Sequence, residues 1–399
     1  MNSRILFISN RNIITTCGEL RLIKNRAETF YSVYGIPTDF IALANSKRIN
    51  AKQKETIKAG GNLVVIRQDA NNLGSVFAAR NRIKKEIENR INTTQYSAVI
   101  CSGSGMPLYA KHIKKINSKI KVFADVHGAS EDIIELVKDG PIKRKMFNRA
   151  IYILDKHGLK SSSEYVDGYF VVTEALKGYV KQNFKPKVDA KFYIVPCATV
   201  NVDDDYFANY EEYRKVYRAK YNLKETTKVF IYSGGVSSWQ CIEETISLYK
   251  RIKKEITDSK LLVFSHKRDD IMRIAGNDPD IIIDSYRPDE LTKALCAGDL
   301  AFMLRTDCVT NNVAFPNKFL EYVQSKMRII TTPYVYEIAR QVKHYNIGFL
   351  YEFKNDREVV EYIKDSSIND DTTVKSILLE NGFTNRLKPF VDDFKDAII

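Results

Sequence analysis

The chain has 399 residues, of which 44% are hydrophobic and 28% are charged. These values exclude a disordered or fibrous chain and predict a soluble globular protein with two domains of roughly 150 to 200 residues each. Lys and Arg number 62 against 49 Asp and Glu, which gives a formal net charge of +13. That excess favours an anionic partner, whether a phosphate ligand, a nucleic acid or an anionic bilayer surface.

Cysteine spacing and the first residues bear on the cellular compartment. The six cysteines are scattered without a CxxC pair, so neither a disulfide framework nor a zinc site is predicted, and a reducing compartment is favoured. The chain enters a strand-like segment almost at once, and no apolar run reaches the ~18 to 20 residues of a membrane span. We expect a cytoplasmic protein, with peripheral attachment to the inner face of the plasma membrane as an alternative.

Short β-branched runs alternate with longer amphipathic segments along the first half of the chain. This alternation predicts a parallel, doubly wound sheet. The predicted strands are RILFIS (4–9), TDFIAL (38–43), NLVVI (62–66), SAVICS (97–102), KVFADV (121–126), GYFVVT (168–173) and KFYIVP (191–196).

The same rhythm begins again in the second half, so two Rossmann-like α/β domains are predicted. The second set of strands is KVFIYSGG (228–235), KLLVFS (260–265), IIID (281–284), LAFMLR (300–305), RIITT (328–332) and IGFLYE (347–352). We place the linker near 198–205. The predicted domains are therefore 1–200 and 201–375, followed by a helical segment, 376–399, that packs back on the first domain.

In open α/β sheets, ligands bind beyond the carboxyl ends of the strands, which directs the search for functional residues. In the first domain Gly18 stands in the loop before a helical stretch, where a glycine lets the backbone approach a ligand, although an ordinary turn is an equal interpretation. Asp125 and His127 follow the fifth predicted strand in the run FADVHG. Histidine can hydrogen-bond a hydroxyl or stabilise developing charge, and Asp125 could orient it.

The second domain offers a glycine pair and a cationic run. Gly234 and Gly235, after the first strand, are expected to leave their N–H groups exposed to a phosphate. Arg305 follows an apolar strand, so its guanidinium is expected to emerge at the strand edge and grip a phosphate. Lys318 and Glu321 lie three apart on one helix face, in which Pro316 suits the first turn. A local Lys–Glu pair worth ~0.3 kcal/mol is the structural alternative.

These residues together resemble the GT-B glycosyltransferases, specifically the retaining family-four type of bacterial capsule, exopolysaccharide and lipopolysaccharide synthesis. The resemblance covers nearly the whole chain and is most specific over 304–332, which contains LR, NN and FPNKFLEY. It implies a GT-B fold with two domains facing a cleft, a nucleotide-sugar donor held by the second domain, and a saccharide or lipid-linked acceptor entering over the first.

The same resemblance assigns roles to residues. It implies that Glu321 holds the ribose hydroxyls and that Lys318 and Arg305 neutralise the pyrophosphate, with the backbone of Gly234 and Gly235 nearby. His127 would face the donor sugar.

On the first domain, Gly18 and Asp125 would lie on the acceptor side. Fixed cations aimed at the departing phosphate can lower the barrier to transfer. We therefore expect neither a metal nor another cofactor, and the Asp203-Asp204-Asp205 run is interpreted as an Asx-type turn.

One position departs from the family pattern. Many family-four enzymes carry an acidic residue eight positions before the ribose glutamate, where this chain has Val313. We expect Asn311, Asn312 and Phe315 of the same loop to make the sugar contact instead.

Three other functions are weighed against transfer. Val313 leaves open a non-catalytic nucleotide-sugar-binding protein, and a GT-B-type UDP-sugar epimerase lacks paired carboxylates for proton removal. A nucleic-acid binder rests on the net charge alone, without a recognised motif, and is not predicted. The segment 138–160 mixes Lys and Arg with Ile, Met and Phe, so an anionic membrane surface is a further candidate partner, with a solvated helix as the equal alternative.

Overall fold

The computed structural model describes residues 4–12, 18–44, 59–68, 73–103, 105–135, 137, 140–197 and 202–393. The chain forms two compact units. The first comprises Met1–Thr199 and Asn381–Ile399, and the second comprises Val200–Glu380. The chain thus returns to the first domain after residue 380, five residues later than the sequence suggests.

The first domain contains a seven-stranded parallel sheet in the order β3-β2-β1-β4-β5-β6-β7. Its strands are β1 Arg4–Asn12, β2 Thr38–Ala44, β3 Leu63–Arg67, β4 Tyr96–Ser102, β5 Lys121–Val126, β6 Gly168–Val171 and β7 Lys191–Ile194. Its described helices are α1 Gly18–Ser32, α2 Leu73–Thr93, α3 Ala110–Ile116, α4 Asp132–Glu135, α5 Ile142–Ser162 and α6 Glu174–Phe184, with 3₁₀ turns at Met106–Tyr109 and Ser163–Tyr165.

The second domain contains a six-stranded parallel sheet in the order β10-β9-β8-β11-β12-β13. Its strands are β8 Lys228–Ser233, β9 Ser259–Phe264, β10 Ile281–Asp284, β11 Leu300–Met303, β12 Arg328–Thr331 and β13 Gly348–Leu350. Its helices are α7 Asp204–Ala208, α8 Tyr210–Lys220, α9 Ile242–Glu255, α10 Arg268–Ala275, α11 Pro288–Leu295, α12 Val309–Asn312, α13 Lys318–Gln324, α14 Tyr336–Tyr345, α15 Asp356–Asp365 and α16 Asp371–Asn381, with a 3₁₀ turn at Ser238–Gln240.

The last described helix, α17 Phe383–Asp393, belongs to the first domain. Phe390 packs edge-on against Phe123 at 5.1 Å and against Tyr193 at 5.4 Å, and lies 5.0 Å from the ring of Phe170. Edge-to-face arrangements of this kind add about 0.5 to 1.5 kcal/mol per pair to area burial. The helix therefore completes the aromatic core beneath β5, β6 and β7.

Every predicted strand is present in the structure, and the bounds of β5 and β10 agree with the prediction. Strands such as β11 end one or two residues earlier than predicted, because the run LAFMLR continues as buried loop after the ladder stops at Met303. By contrast, β1, β2 and β3 end one to three residues later than predicted. Apolar β-branched runs fix the existence of a buried parallel strand better than its last residue.

Two local predictions need correction. Pro316 does not lie in the first helical turn, because α13 begins at Lys318 with Asn317 as its N-cap residue. The linker ends before the predicted residue 205. Asp203 caps α7 by accepting the Tyr206 N–H at 3.2 Å, and Asp204 already lies in the helix. The rest of that linker, 198–201, falls outside the described residues. Over the part of the chain that is described, no helix is long and apolar enough to cross a membrane.

Candidate functional site

Gly234 follows β8 at the carboxyl edge of the second sheet, where side chains crowd its Cα. A Cβ at this position would lie 2.4 Å from Lys318 Nζ, 2.8 Å from Gln240 Oε1 and 2.9 Å from Tyr232 Oη. A larger residue here would force at least one of these side-chain ends to move, so glycine leaves room for Lys318 to approach the backbone. A Cβ on Gly235 would find its nearest neighbour at 3.8 Å, which is ordinary contact.

The N–H groups of this glycine pair are not exposed as expected. Gly234 donates to the Phe264 carbonyl at 3.0 Å, which extends the pairing of β8 with β9 by one residue. Gly235 donates to Gln240 Oε1 at 3.1 Å. The expectation of two unengaged donors is therefore wrong for this structure, because the sheet and a nearby amide side chain already use both.

Two cations come together beside the glycines. Lys318, at the start of α13, is partly buried and lies 5.8 Å above the ring of Tyr232. Burial first and the neighbouring Arg305 second lower the pKa of Lys318 from 10.5 to about 7, while Glu321 acts in the opposite direction. An anion placed here would favour the charged lysine.

Arg305 lies after the end of β11, as expected, but its guanidinium does not emerge into solvent. The residue is 6% exposed, and its Nη1 donates to the Leu304 carbonyl at 2.8 Å. Thr332 fixes the backbone by accepting from the Arg305 N–H at 3.1 Å and donating to its carbonyl at 2.9 Å. Burial lowers the pKa of Arg305. The expectation of an exposed guanidinium is wrong, because the side chain folds back beneath the strand edge.

Glu321 is buried one turn after Lys318 on α13 and is 5% exposed. Its neighbour Tyr322 accepts the Ser233 N–H at 2.8 Å and so joins α13 to the end of β8. These contacts bring Glu321, Lys318 and the glycine pair to one edge of the sheet.

The loop residues expected to contact a sugar make internal contacts through their side chains. Asn311 donates to the Thr306 carbonyl at 2.9 Å and to the Trp239 carbonyl at 3.3 Å. Asn312 donates to Asp307 Oδ1 and to the Tyr334 carbonyl, both at 3.0 Å. These two amides brace the loop between β11 and α13.

Phe315 is buried and packs edge-on against Phe319 at 5.8 Å. Val313, at the departure from the family pattern, is also buried. The side chain of Phe315 therefore belongs to the core, and only its backbone faces the loop.

A pocket of about 300 Å³ extends from the glycine pair along the carboxyl ends of β8, β9 and β10. Its size is at the lower end of the range of roughly 300 to 1,000 Å³ for small-molecule sites. The lining residues are Ser233, Gly234, Gly235, Phe264, Ser265, His266, Lys267, Ser285, Tyr286, Leu291 and Lys318.

In the first domain, Asp125 is the centre of a buried charge network at the end of β5. Its Oδ1 accepts from Arg26 at 2.5 Å, and its Oδ2 accepts from Ser102 Oγ at 2.7 Å and from His127 Nε2 at 2.8 Å. Burial opposes the charge, but Arg26 and then His127 outweigh it and hold the pKa of Asp125 well below its ordinary value. Asp125 is thus ionised and orients His127.

The His127 side chain is 5% exposed, more buried than a residue at a strand terminus usually is. Gly18 begins α1, and the loop before it, 13–17, falls outside the described residues. No metal site emerges within the described ranges either, since no three His, Cys, Asp or Glu residues there form a cluster that could hold an ion.

Sequence reasoning missed residues that act through distant contacts. Gln240 and Tyr322 hold the glycine strand end, and Arg26 and Ser102 complete the Asp125 network. Tyr232, which also lies beside Gly234, could have been found from the sequence, because it directly precedes the Ser-Gly-Gly turn. The others lie on separate elements, and their spacing along the chain carries no sign of the contact.

Comparisons with known proteins identify the fold. Residues 214–376, within the second domain, match the family described as "Glycosyl transferases group 1". No curated protein sequence matches this chain.

Solved structures resemble it over nearly its whole length. A glycosyltransferase from Rickettsia africae ESF-5 has 14% identity and a TM-score of 0.64, with 99% of this chain and 98% of that one covered. The lipopolysaccharide outer core galactosyltransferase WaaB has 13% identity and a TM-score of 0.66, with 98% and 99% covered. An E. coli structure described as trehalose-6-phosphate bound with UDP-2-fluoro glucose has 9% identity and a TM-score of 0.61, with 98% and 99% covered. The two parallel-sheet domains therefore form a GT-B fold, and the family match supports a glycosyltransferase.

Proposed function

We propose that this chain is a retaining glycosyltransferase that needs no metal and moves a sugar from a nucleotide-sugar donor to a saccharide or lipid-linked saccharide in bacterial surface polysaccharide synthesis. The second domain holds the donor and the first domain holds the acceptor. The match over 214–376 supports the reaction class, and the family resemblance supports the finer assignment.

The observation that carries the proposal is the pair of neighbouring cations, Lys318 and Arg305, beside Gly234, where a Cβ would crowd Lys318 Nζ. Burial and mutual repulsion make both cations costly in the empty domain. A diphosphate in the adjoining pocket lowers that cost, because it adds negative charge to that of Glu321, which alone does not restore the ordinary pKa of Lys318. The same charges act on the departing phosphate, where negative charge grows as the sugar leaves.

The remaining residues have positioning roles in this proposal. Glu321, one turn along α13, accepts hydrogen bonds from the ribose hydroxyls. Gly235 can offer its N–H to the diphosphate once Gln240 moves aside. His127, held by ionised Asp125, hydrogen-bonds the transferring sugar, and the leaving phosphate takes the proton of the acceptor hydroxyl.

A thermal-shift screen of UDP-, GDP-, dTDP- and CMP-sugars tests the donor site. A ligand that binds only the folded state raises the melting temperature according to its concentration over Kd. We expect one nucleotide class to give the largest shift and Glu321→Ala to abolish it. The matched control is Glu212→Ala, an exposed position on α8, which should keep the shift. A full shift in Glu321→Ala would contradict the assignment.

Transfer itself needs a second measurement. Incubation of the preferred donor with candidate acceptors, followed by NMR of the anomeric proton, reports both turnover and retention. An inverted anomer would contradict the retaining assignment. Buried Val313, in place of an acid, favours a non-catalytic donor-binding protein as the second candidate, and donor binding without any transfer or hydrolysis would support it.

Helix α5 is the basis for a proposed attachment to an anionic membrane surface. Ile142 and Met146 are 75% and 68% exposed, one turn apart, and the basic residues between them are exposed as well. Apolar side chains within a cationic run fit an anionic leaflet, where each basic residue adds about 1 kcal/mol. We expect flotation with anionic but not with neutral vesicles, and loss of flotation in Met146→Glu. A protein that stays in the dense fraction with anionic vesicles would contradict this proposal.

A further inference from the structure

A second pocket, of about 290 Å³, lies in the first domain at the carboxyl edge of its sheet. Asn10 of β1, Leu43 of β2 and Gln68 directly after β3 line its floor. This is the edge at which open α/β sheets bind ligands. The pocket lies wholly within the first domain and is separate from the donor pocket, since the two share no residue.

The walls of this pocket are mainly apolar. Helix α2 contributes Val76 and Ile83, and helix α5 contributes Phe147 and Ile151, which lie one turn apart. Met106 closes the side next to β4. Apolar walls of this kind favour a ligand group made of hydrocarbon, because its transfer from water is the main source of affinity.

One polar group in the pocket lacks a partner. Tyr109 is 2% exposed, and its hydroxyl has no hydrogen-bond partner in the part of the chain that the structure describes. Burial raises the pKa of this hydroxyl, which therefore keeps its proton. An unsatisfied buried hydroxyl is costly. The hydroxyl has almost no exposed surface in the empty pocket, so a ligand oxygen reaches and satisfies it once a neighbouring wall residue shifts.

Two charged groups, on the same helices α2 and α5, also line the pocket. Arg80 Nη2 is 3.9 Å from Asp155 Oδ1, too far for a hydrogen bond, and the Arg80 side chain is 25% exposed. Gly105, at φ 77°, packs against the same carboxylate, since a Cβ there would lie 2.6 Å from Asp155 Oδ1. A ligand can therefore place its apolar part between α2 and α5 and its polar part beside Arg80.

The pocket adjoins the Asp125 network. Gly103, at the end of β4, donates its N–H to the Asp125 carbonyl at 3.0 Å. On the other side it packs so closely on Asn10 of the pocket that a Cβ would lie 2.3 Å from Asn10 Oδ1. One short loop thus joins the pocket to the residue that orients His127.

We infer that this pocket is the acceptor subsite and that it takes the apolar, non-sugar part of the acceptor, with an acceptor oxygen on the Tyr109 hydroxyl. The inference rests on the proposed function, because it assigns the acceptor side of that reaction. It selects an acceptor with a hydrocarbon aglycone over a free saccharide.

Methyl, hexyl and octyl β-glucosides, used below their micellar concentrations, serve as probes in isothermal titration calorimetry. We expect affinity to rise about fourfold for each methylene that enters the pocket. Ile151→Trp fills the pocket and should remove the dependence on chain length. Ile153→Trp is the matched control on the same helix, where the side chain is 57% exposed, and it should keep that dependence.

Tyr109→Phe provides a second test. It should weaken octyl glucoside binding about tenfold, as expected for a lost hydrogen bond to the ligand, without lowering the melting temperature of the empty protein. A hydroxyl with only a structural role would lower that temperature on removal and leave the affinity unchanged.

The donor-induced thermal shift separates this inference from the proposed function. A shift that persists in all three variants, combined with equal affinities across the alkyl series in the unmodified protein, would overturn the pocket assignment alone. Equal loss of binding in Ile151→Trp and Ile153→Trp would overturn it too. Absence of any donor shift in the unmodified protein would contradict the proposed function instead.

Discussion

Each domain buries ionisable groups at the carboxyl edge of its sheet, but the two clusters differ in charge balance. In the first domain, the Asp125 carboxylate is enclosed by Arg26, His127 and Ser102. In the second, burial and then the neighbouring Arg305 lower the pKa of Lys318, and Glu321 offsets this shift only in part. The carboxylate of the first cluster has its counter-charge without a ligand, whereas the second cluster keeps an excess of positive charge and gains from an anion.

This difference separates a positioning network from a binding site. A buried charge with its partners in place contributes to the stability of the fold. Removal of one partner leaves the other charge buried without compensation, which lowers the free energy of unfolding. A buried charge without enough counter-charge lowers the stability of the empty protein and is compensated when a ligand arrives. Strongly shifted pKa values mark both kinds of cluster, so the direction of each shift and its cause must be compared.

Asp125→Ala should produce the largest effect on stability. It leaves the Arg26 guanidinium buried without its counter-ion, which should cost about 3 to 5 kcal/mol of unfolding free energy. Urea unfolding followed by far-UV circular dichroism measures this loss. The single tryptophan, Trp239, lies in the second domain and reports that domain by fluorescence.

Ser102→Ala is the milder control for the same network. It removes one hydrogen bond to Asp125 and should cost about 1 kcal/mol. A loss in Asp125→Ala no larger than that in Ser102→Ala would show that the Arg26 charge is compensated by other means.

Lys318→Met should have the opposite profile. The empty protein should melt at the same temperature or higher, because a costly buried cation is gone. Donor affinity should fall about 10- to 100-fold, as expected for a lost charge-assisted hydrogen bond of about 1.5 to 3 kcal/mol. Calorimetry with the preferred donor measures this change, and exposed Lys254, changed to Met, serves as the control. Undiminished donor affinity would remove Lys318 from the site.

The pH dependence of donor binding tests whether Lys318, unlike Asp125, needs a ligand to hold its charge. With its pKa near 7, Lys318 is largely neutral at pH 8 in the empty protein, and a bound diphosphate restores the proton. Donor affinity should therefore weaken by up to about tenfold per pH unit above 7. Titrations at pH 8 in buffers of different ionisation enthalpy should show uptake of nearly one proton. Lys318→Arg should show none, because arginine stays charged.

The lowered pKa of Lys318 also predicts how the stability of the protein changes with pH. The unfolded lysine keeps its proton up to about pH 10.5, whereas the folded one releases it above about 7. The unfolded state thus binds more protons in that window, and this group adds stability as pH rises from 7 toward 10.5. Unfolding midpoints of the unmodified protein, relative to Lys318→Met, should rise over this range. A relative fall would contradict the lowered pKa.

The glycine pair should give a small effect on stability that is confined to one of its two residues. Gly234→Ala must displace Lys318 Nζ, Gln240 or Tyr232, whereas Gly235→Ala meets only ordinary contacts. We expect Gly234→Ala to lower the melting temperature of the empty protein by a few degrees, with a cost on the order of 1 kcal/mol. Gly235→Ala should leave that temperature unchanged. Equal temperatures for both variants would contradict the crowding at Gly234.

Much of the fold could be predicted from the sequence because parallel strands buried on both faces are continuous apolar runs. KVFADV and IIID coincide with β5 and β10. The end of β11 was less predictable, since Leu304 remains buried after the ladder stops. Hydrophobicity reports burial, and burial continues where hydrogen-bonded pairing does not.

The candidate site was predictable in position more than in geometry. The rule about strand ends placed Gly234, Arg305 and Lys318 at one edge. Whether the Arg305 guanidinium reaches solvent depends on the conformation of its side chain. Whether the N–H groups of the two glycines are free depends on their contacts with Gln240 and Phe264. Such contacts join residues far apart in sequence, and a single sequence carries no signal of them.

The return of α17 to the first domain affects the order of events during synthesis. Phe390 fills the aromatic core formed by Phe123, Phe170 and Tyr193, yet the whole of Val200–Glu380 is translated in between. At elongation rates of about 5 to 20 residues per second, that interval lasts roughly 10 to 40 seconds. The nascent first domain must wait on the ribosome with this core incomplete, while the second domain can fold as an insertion. Chaperone demand should therefore fall on the half of the protein that is made first.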